Sequence, residues 1–376
     1  MLQFLIFLAQ SYSHLYQANG YVFGYNDTRI NSWGGYENVW VHGFFFQDWY
    51  DSRLAIQSVD TTQQLITVAS LPTYGFAVGR RFFYWNVIDE LDEAGEYYID
   101  NSTGILYFWP PALIASDFDA RVSVLTQNLI QITDASNVTF KGTCLHVLFF
   151  LISEILSHIG FTVEATRASG IIVTGGVNLE ISDCFFQFLG GDAVIISSGV
   201  GHLVQRSQFF GLGLGGVSID AGNRDTLTPC NHMVFANHFF NYARWVFCYQ
   251  PAVVASTCYF SMLLLPLSSY TIPFNTGGVG ALIVNNQINN APHNAILLGL
   301  GNNHQIYFNE IFDVCQLSND VGAFYQGRDW TSRGTYISYN YFHNIIGMPP
   351  NDSFPSSPYL PPLLRICIWC KRDIFR

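Results

Sequence analysis

Residues Asp320–Gly347, DVGAFYQGRDWTSRGTYISYNYFHNIIG, decide the fold, because they close a series of near-copies of themselves. The shared core reads ISDCFF around Cys184, VQRSQFF around Ser207, VFANHFF around Asn237, IVNNQIN around Asn286, IYFNEIF around Asn309 and ISYNYFH around Asn340. Each copy runs as a short apolar strand, a polar or Asn corner, a second short strand and a Gly-rich loop. Self-similarity at a period of roughly 20 to 50 residues marks a stack of coils. Strands stacked about 4.8 Å apart turn every equivalent position into a ladder. The expected fold is therefore all-β, a right-handed parallel β-helix with an N-terminal, aromatic-rich antiparallel β region. Val194 and Ile196 are expected to face inward. Asn237, Asn286, Asn309 and Asn340 are expected at corners, bonding to the chain of the next coil and tolerating left-handed backbone angles.

Used as a ruler, the repeat exposes two misfits. Cys184 and Ser207 are 23 positions apart, Ser207 and Asn237 30, Asn286 and Asn309 23, and Asn309 and Asn340 31, whereas Asn237 and Asn286 are 49 apart. TCYFSMLLLPLSSYTIPFN, Thr257–Asn275, has no strand alternation, and without its 19 residues the long interval becomes 30. TCLHVLFFLISEILSHIG, Thr143–Gly160, likewise stretches the Lys141-to-Cys184 interval to 43, which falls to 25 without its 18 residues. Both are rich in residues with pyrimidine-rich codons, as the ends of introns are. The expectation is a pair of retained introns or gene-model errors, with two real apolar surface loops as the alternative.

With 16% aromatic residues, 32 Gly and only 11% charged residues, the chain suits strands and tight turns. Its 376 residues fit one solenoid without division into compact domains. A formal charge of −11 and the absence of a basic cluster argue against nucleic acid as a partner. The opening MLQFLIFLAQS is a short apolar run without a basic flank, a weak secretion signal or a truncated start. Sequons at Asn26, Asn101, Asn137 and Asn351 are compatible with a secreted glycoprotein. The eight cysteines do not make a disulfide framework in so long a chain, and the lone C-x-x-C of Cys367 and Cys370 lacks a second pair for zinc. Neither misfit segment reads as a membrane span, because Glu154 and two His interrupt the first and Pro266 and Pro273 the second.

The organisation expected along the chain is a lead over 1–31, an aromatic-rich β region over 32–121, the β-helix over 122–347 with atypical inserts 143–160 and 257–275, and a Pro/Ser-rich then basic tail over 348–376. WVHGFFFQDWYDSR, RRFFYWNVIDELDEAGEYYID and NSTGILYFWPP alternate aromatic and polar residues between turn residues, as hairpins do. Trp40, His42, Asp48, Trp49 and Asp51 in this region read as an aromatic β core before they read as a glycan site. GLGLGG at Gly211–Gly216 precedes no helix pattern and is not a phosphate loop.

Aligned by the Gly that follows, Asp192, His293 and Asp320 stand at the start of equivalent strands. His293 and Asp320 are then expected on adjacent rungs, an acid/base pair or else a hydrogen bond that fixes a corner. GNRDTL at Gly222–Leu227, just after Asp220, and GRDWTSRG at Gly327–Gly334 set Arg beside Asp on loops. Arg224 and Arg328 suit a carboxylate or sugar hydroxyl, and Asp225 and Asp329 suit an acid, a base or a calcium ligand, with a local loop brace as the alternative. Glu310 and His304 are expected to face the same groove, with Phe324, Tyr325 and Trp330 as rings on which sugars stack or as ordinary packing. The catalytic candidates are thus Asp320, Glu310, His293 and Asp329. The substrate-binding candidates are Arg328, His304, Trp330, Tyr325, Asp220, Arg224 and Asp225, with calcium as the one cofactor the loops suggest. No Ser-His-Asp order, phosphate loop, H-E-x-x-H or dinucleotide fingerprint is present.

WVHGFFFQDWYDSR, ELDEAGEYYIDNSTGILYFWPP, GNRDTLTP, the run from APHNAI to GNNHQIYFNEI, and DVGAFYQGRDWTSRG together resemble the large parallel β-helix proteins of the pectin lyase-like superfamily, over most of Ser32–Gly347. The resemblance implies an extracellular, monomeric protein that meets a polysaccharide, in the manner of a glycoside hydrolase or polysaccharide lyase. It also implies a longer chain than this one, with further coils at both ends, so an inactive fragment is one expectation. Three readings compete: a carbohydrate-active enzyme, a glycan-binding or structural β-helix without catalysis, and a defective gene product. Paired carboxylates separate the first from the second.

Overall fold

The computed structural model describes residues 13–15, 18–113, 119–142, 161–255, 278–326, 330–345, 347 and 365–368. Both apolar misfit segments lie outside the described residues, as do Arg328 and Asp329 and most of the tail. The chain divides into two units, one of residues 1–123 with 317–320 and 348–376, the other of residues 124–316 with 321–347.

The second unit is a parallel β-helix of three seven-stranded sheets among the described residues. The first sheet stacks Ile130–Thr133, Ile171–Thr174, Val194–Ser197, Val217–Asp220, Val253–Ala255, Ile296–Leu298 and Phe324–Gln326. The second stacks Thr139–Lys141, Glu180–Ser182, Leu203–Gln205, Met233–Phe235, Leu282–Val284, Gln305–Tyr307 and Tyr336–Ser338. The third stacks Phe161–Glu164, Cys184–Gln187, Gln208–Phe210, His238–Phe240, Gln287–Asn289, Glu310–Phe312 and Tyr341–His343. One strand from each sheet makes a rung. Strands this short alternate in, out, in or the reverse, so a few apolar side chains per rung suffice to close the interior. Val194 and Ile196 are buried, with Val217 and Ile219 above them. In the third sheet the inward column stacks Phe186 on Phe209 at 4.8 Å and Phe209 on Phe239 at 4.3 Å, nearly parallel.

The corner between the second and third sheets carries the asparagine ladder. The Asn237 N–H donates to Asn286 Oδ1 at 3.0 Å, the Asn286 N–H to Asn309 Oδ1 at 2.9 Å, and the Asn309 N–H to Asn340 Oδ1 at 3.0 Å. Their Nδ2 groups donate to Val204, Val234, Ile283 and Ile306 carbonyls. Ser207 holds the same place in its rung, accepting from the Cys184 N–H and donating its own N–H to Asn237 Oδ1. The left-handed angles fall one residue earlier than expected, on Asp183, Arg206, Ala236, Asn285, Phe308 and Tyr339. The reversal happens there, which frees the asparagines to keep ordinary angles and turn their amides along the stack.

The same register delimits the first misfit segment. Lys141 pairs with Ser182 and Phe161 with Cys184, and the single residue Asp183 spans that corner on the next rung, where Gly142 spans it on the first. Residues 143–160 therefore have no counterpart. The second segment falls between the strands Val253–Ala255 and Leu282–Val284.

The first unit is built on an antiparallel seven-stranded sheet, ordered Ser13–His14, Arg81–Trp85, Trp40–Gly43, Ser52–Asp60, Leu65–Val68, Val22–Gly24 and Ala18–Asn19. It takes in residues upstream of the Ser32 boundary read from composition, since Leu15, Phe23, Tyr25 and Ile30 join its core with Trp33, Val41, Leu54, Phe82 and Tyr84. A hairpin of Tyr97–Asp100 and Ile105–Phe108 follows.

Candidate functional site

The structure gathers some of the residues expected to share a site and separates others. Ile296 pairs with Phe324, so the residue in register with His293 is Val321, and the counterparts of Asp192 are Gly215, Pro251, Asn294 and Gly322. His293 and Asp320 are thus not equivalent. Residues Leu317–Asp320 leave the rung and belong to the first unit, where Arg81 Nη2 donates to the Leu317 carbonyl at 2.7 Å and the Asn319 N–H to the Asp48 carbonyl at 3.1 Å. Counting back from the glycine gives the same result, since His293 stands six residues before Gly299 and Asp320 seven before Gly327. Asp320 is exposed at a positive φ, whereas His293 is buried, with Nδ1 against Asn294 Oδ1 at 2.8 Å and its ring 4.7 Å from Tyr249.

His304 does not face a groove either. It is fully buried, because the position before each second-sheet strand points inward, and it shares that place with His202 and His232. Each of the three accepts a backbone N–H from the preceding rung at Nδ1, from Leu179, His202 and Ala281 respectively. The remaining proton is then on Nε2, which in His202 and His232 meets the Gly175 and Ser198 carbonyls. Burial pushes His232 and His304 down to about 4, helped in His232 by the charge of His202 and in His304 by that of Arg224.

At the junction of the first and second sheets the loop that carries Arg224 meets Thr331. Arg224 reaches across the rungs, donating from Nε to Asn302 Oδ1 at 2.9 Å and from Nη2 to Thr331 Oγ1 at 2.8 Å. Asp225 sits in a turn that Asn223 Oδ1 closes by accepting its N–H, and Asp220 ends the strand leading in. Trp330 is 99% exposed beside them, and Tyr325 is half-buried on the outer side of the first sheet. Arg224 is a brace between rungs. Among the described residues no cluster of three or more His, Cys, Asp or Glu side chains gathers as a metal centre would require.

Glu310 lies elsewhere, on the outer face of the third sheet, which the repeat had marked only as strand. Two columns run along that face. One carries Phe185, Gln208, His238, Gln287, Glu310 and Tyr341, and the other Glu164, Gln187, Phe210, Phe240, Asn289, Phe312 and His343. Rings pack within and across them: Phe210 lies tilted against Phe240 at 4.7 Å, while His238 stacks on Phe240 at 4.4 Å, Phe312 on His343 at 4.7 Å and Tyr341 on His343 at 4.5 Å. Between the rings, Gln287 donates to Glu310 Oε2 at 2.8 Å, His343 Nε2 meets Glu310 Oε1 at 3.3 Å, and His238 Nε2 meets Asn289 Oδ1 at 2.9 Å. Burial holds His238 below its ordinary value, against the raising effect of Asn289 and Glu310. A signal for this face was present in QFF and HFF, where parity sends the middle Phe inward and the last one out.

In the first unit, His42 Nε2 meets Asp51 Oδ2 at 2.8 Å, both buried, and Asp48 pairs with Arg80 at 2.7 Å. Trp40 packs 5.7 Å from Trp85. His42, Asp51 and Trp40 belong to the packing of the sheet, whereas Asp48 and Arg80 form a partly exposed pair beside it.

No family model matches the chain, and no curated protein matches it. Among solved structures it is similar to a glycoside hydrolase, with 12% identity over 92% of this chain and 78% of that one and a TM-score of 0.43. It is also similar to the tailspike protein gp49 of Pseudomonas phage LKA1, with 10% identity over 90% of this chain and 64% of that one and a TM-score of 0.18. Neither score is high enough to bear on the site.

Proposed function

We propose that this chain is a glycan-binding β-helix that holds a neutral polysaccharide along the outer face of the third sheet and does not cleave it. The observation that carries this reading is the pair of outer columns, in which flat rings alternate with amides, imidazoles and a carboxylate. Rings take the C–H faces of pyranoses and planar polar groups take their hydroxyls. Seven rungs at about 4.8 Å give a track of roughly 29 Å, long enough for several sugar units. Glycosidases need two carboxyl groups within roughly 5 to 10 Å. Among the described residues of the two columns the carboxylates are Glu164 on the first rung and Glu310 on the sixth, about 24 Å apart by the same spacing. A secreted, monomeric protein related to the pectin lyase-like β-helices accords with this reading.

The test is affinity electrophoresis of the full chain through gels containing soluble polysaccharides, with a reducing-end assay and absorbance of unsaturated ends run on the same mixtures. Retention without new ends is expected, and Phe240→Ala with His238→Ala should weaken it several-fold. Release of ends, or undiminished retention of the double variant, refutes the reading.

A further inference from the structure

The six corners before the asparagine ladder all turn through the left-handed region, with φ of 55° at Asp183, 48° at Arg206, 55° at Ala236, 55° at Asn285, 60° at Phe308 and 55° at Tyr339. The fold imposes this angle, and short polar residues such as Asp183 and Asn285 meet it at little cost. Bulky aromatic residues meet it at a real cost, and strained residues retained in a fold point toward function. Here the strain is not offset by burial, since Phe308 is 56% and Tyr339 79% exposed. Their rings lie 5.3 Å apart and 15° from parallel on adjacent rungs, with Tyr307 edge-on to Phe308 at 5.5 Å and Tyr341, 61% exposed, on the following strand. The charged corners, Asp183 and Arg206, pair with each other at 2.8 Å four and three rungs before Phe308. The corner at the last two rungs is aromatic and uncharged.

We infer that Phe308 and Tyr339 form a stacking step that selects flat-faced, uncharged pyranose units of the bound chain, such as those of a β-linked glucan. The inference rests on the glycan-binding reading and adds to it a second surface and a ligand class. Rings in step with the rungs meet successive sugar faces, and Tyr341 connects this corner to the track on the third sheet. A uronic acid polymer is disfavoured, because Glu310 begins the strand that follows Phe308 and no cation stands at this corner among its ring partners.

The decisive variant is Phe308→Asn with Tyr339→Asn, which places at both corners the residue already accepted at Asn285. Retention of the full chain is compared in gels containing mixed-linkage β-glucan, xyloglucan and polygalacturonate. The wild type should be retained by the neutral polymers, and the double variant should bind them about tenfold or more weakly. The midpoint of thermal unfolding should at the same time rise, because backbone strain is relieved. Ala236→Asn, at the same corner on an earlier rung, should leave retention unchanged. Unchanged binding by the double variant, or a lowered midpoint, overturns the inference and leaves the third-sheet track standing. Retention by polygalacturonate alone overturns the ligand class. Concentration-dependent self-association of the wild type that the double variant loses shows a protein interface at this corner. Failure of the wild type to bind any of the polymers removes both readings.

Discussion

Acidification should unfold this protein through its interior histidines. His232 and His304 are held near 4, against about 6.5 for an unfolded chain. Their folded values are depressed, so the native state binds fewer protons than the unfolded state between those limits, and stability falls as pH falls from 6.5 to 4. About 2.5 pKa units at 1.36 kcal/mol per unit is about 3 kcal/mol for each histidine. The cause is geometric as well as dielectric. A proton on Nδ1 would face the backbone N–H of His202 or Ala281, which that nitrogen now accepts. Asp192 acts in the opposite sense, since burial raises it to about 6 and its stabilising contribution is complete below about 3.8 and lost as pH rises through 6. That gain is at most about 3 kcal/mol on acidification, less for the solvent that reaches a half-buried carboxyl. The net loss from pH 6.5 to 4 is therefore about 3 to 6 kcal/mol, a large share of the stability of a folded domain. Urea unfolding followed by far-UV circular dichroism at several pH values measures it. His232→Gln with His304→Gln should be less stable at pH 7.5 but flatter with pH, and Asp192→Asn should steepen the wild-type fall. If NMR shows both imidazoles taking up protons near pH 6.5 in the folded protein, the assignment of the tautomers and the burial argument are wrong.

Asn286→Ala should cost about 2 to 4 kcal/mol in urea unfolding at neutral pH, because it strands the buried Asn237 N–H and removes a donor from the Val234 carbonyl. A loss under about 1 kcal/mol would mean that the ladder is dispensable. Phe209→Ala opens the parallel ring stack between Phe186 and Phe239 and should cost about 3 to 5 kcal/mol in the same assay. Gly43→Ala would bring a methyl group within 2.4 Å of the Arg81 carbonyl, where the two strands pair at Phe82. That variant should lower the first unit's unfolding midpoint by several degrees, and an unchanged midpoint would show that the pair can part at no cost.

The architecture was legible because a solenoid writes its contacts at a fixed period. The ladder asparagines stand at equal places in the repeat, and each meets only its neighbours on adjoining rungs, so spacing along the chain maps to position in space. Lys141 and Phe161, on either side of the first misfit segment, pair with residues two positions apart on the next rung. The proposed site was far less so. Matching His293 to Asp320 set a residue six before Gly299 against one seven before Gly327, and the second lies in a segment that belongs to the first unit. His304 looked like a groove residue because it stands six positions before Glu310, although it holds the same place as His202 and His232, one position before a second-sheet strand.

The sequence by itself determined that the chain coils, how many residues each rung takes, and which residues ride the corner ladder, because periodicity and hydrogen-bond chemistry are local. Only the tertiary structure decided which side chains share a face. Glu310 left the company of Arg224 for the third sheet, His304 and His293 went inside, and Phe308 and Tyr339 took the strained corner. Facing depends on strand parity and on one-residue differences in corner length, and a shift of one position sends a side chain to the other surface.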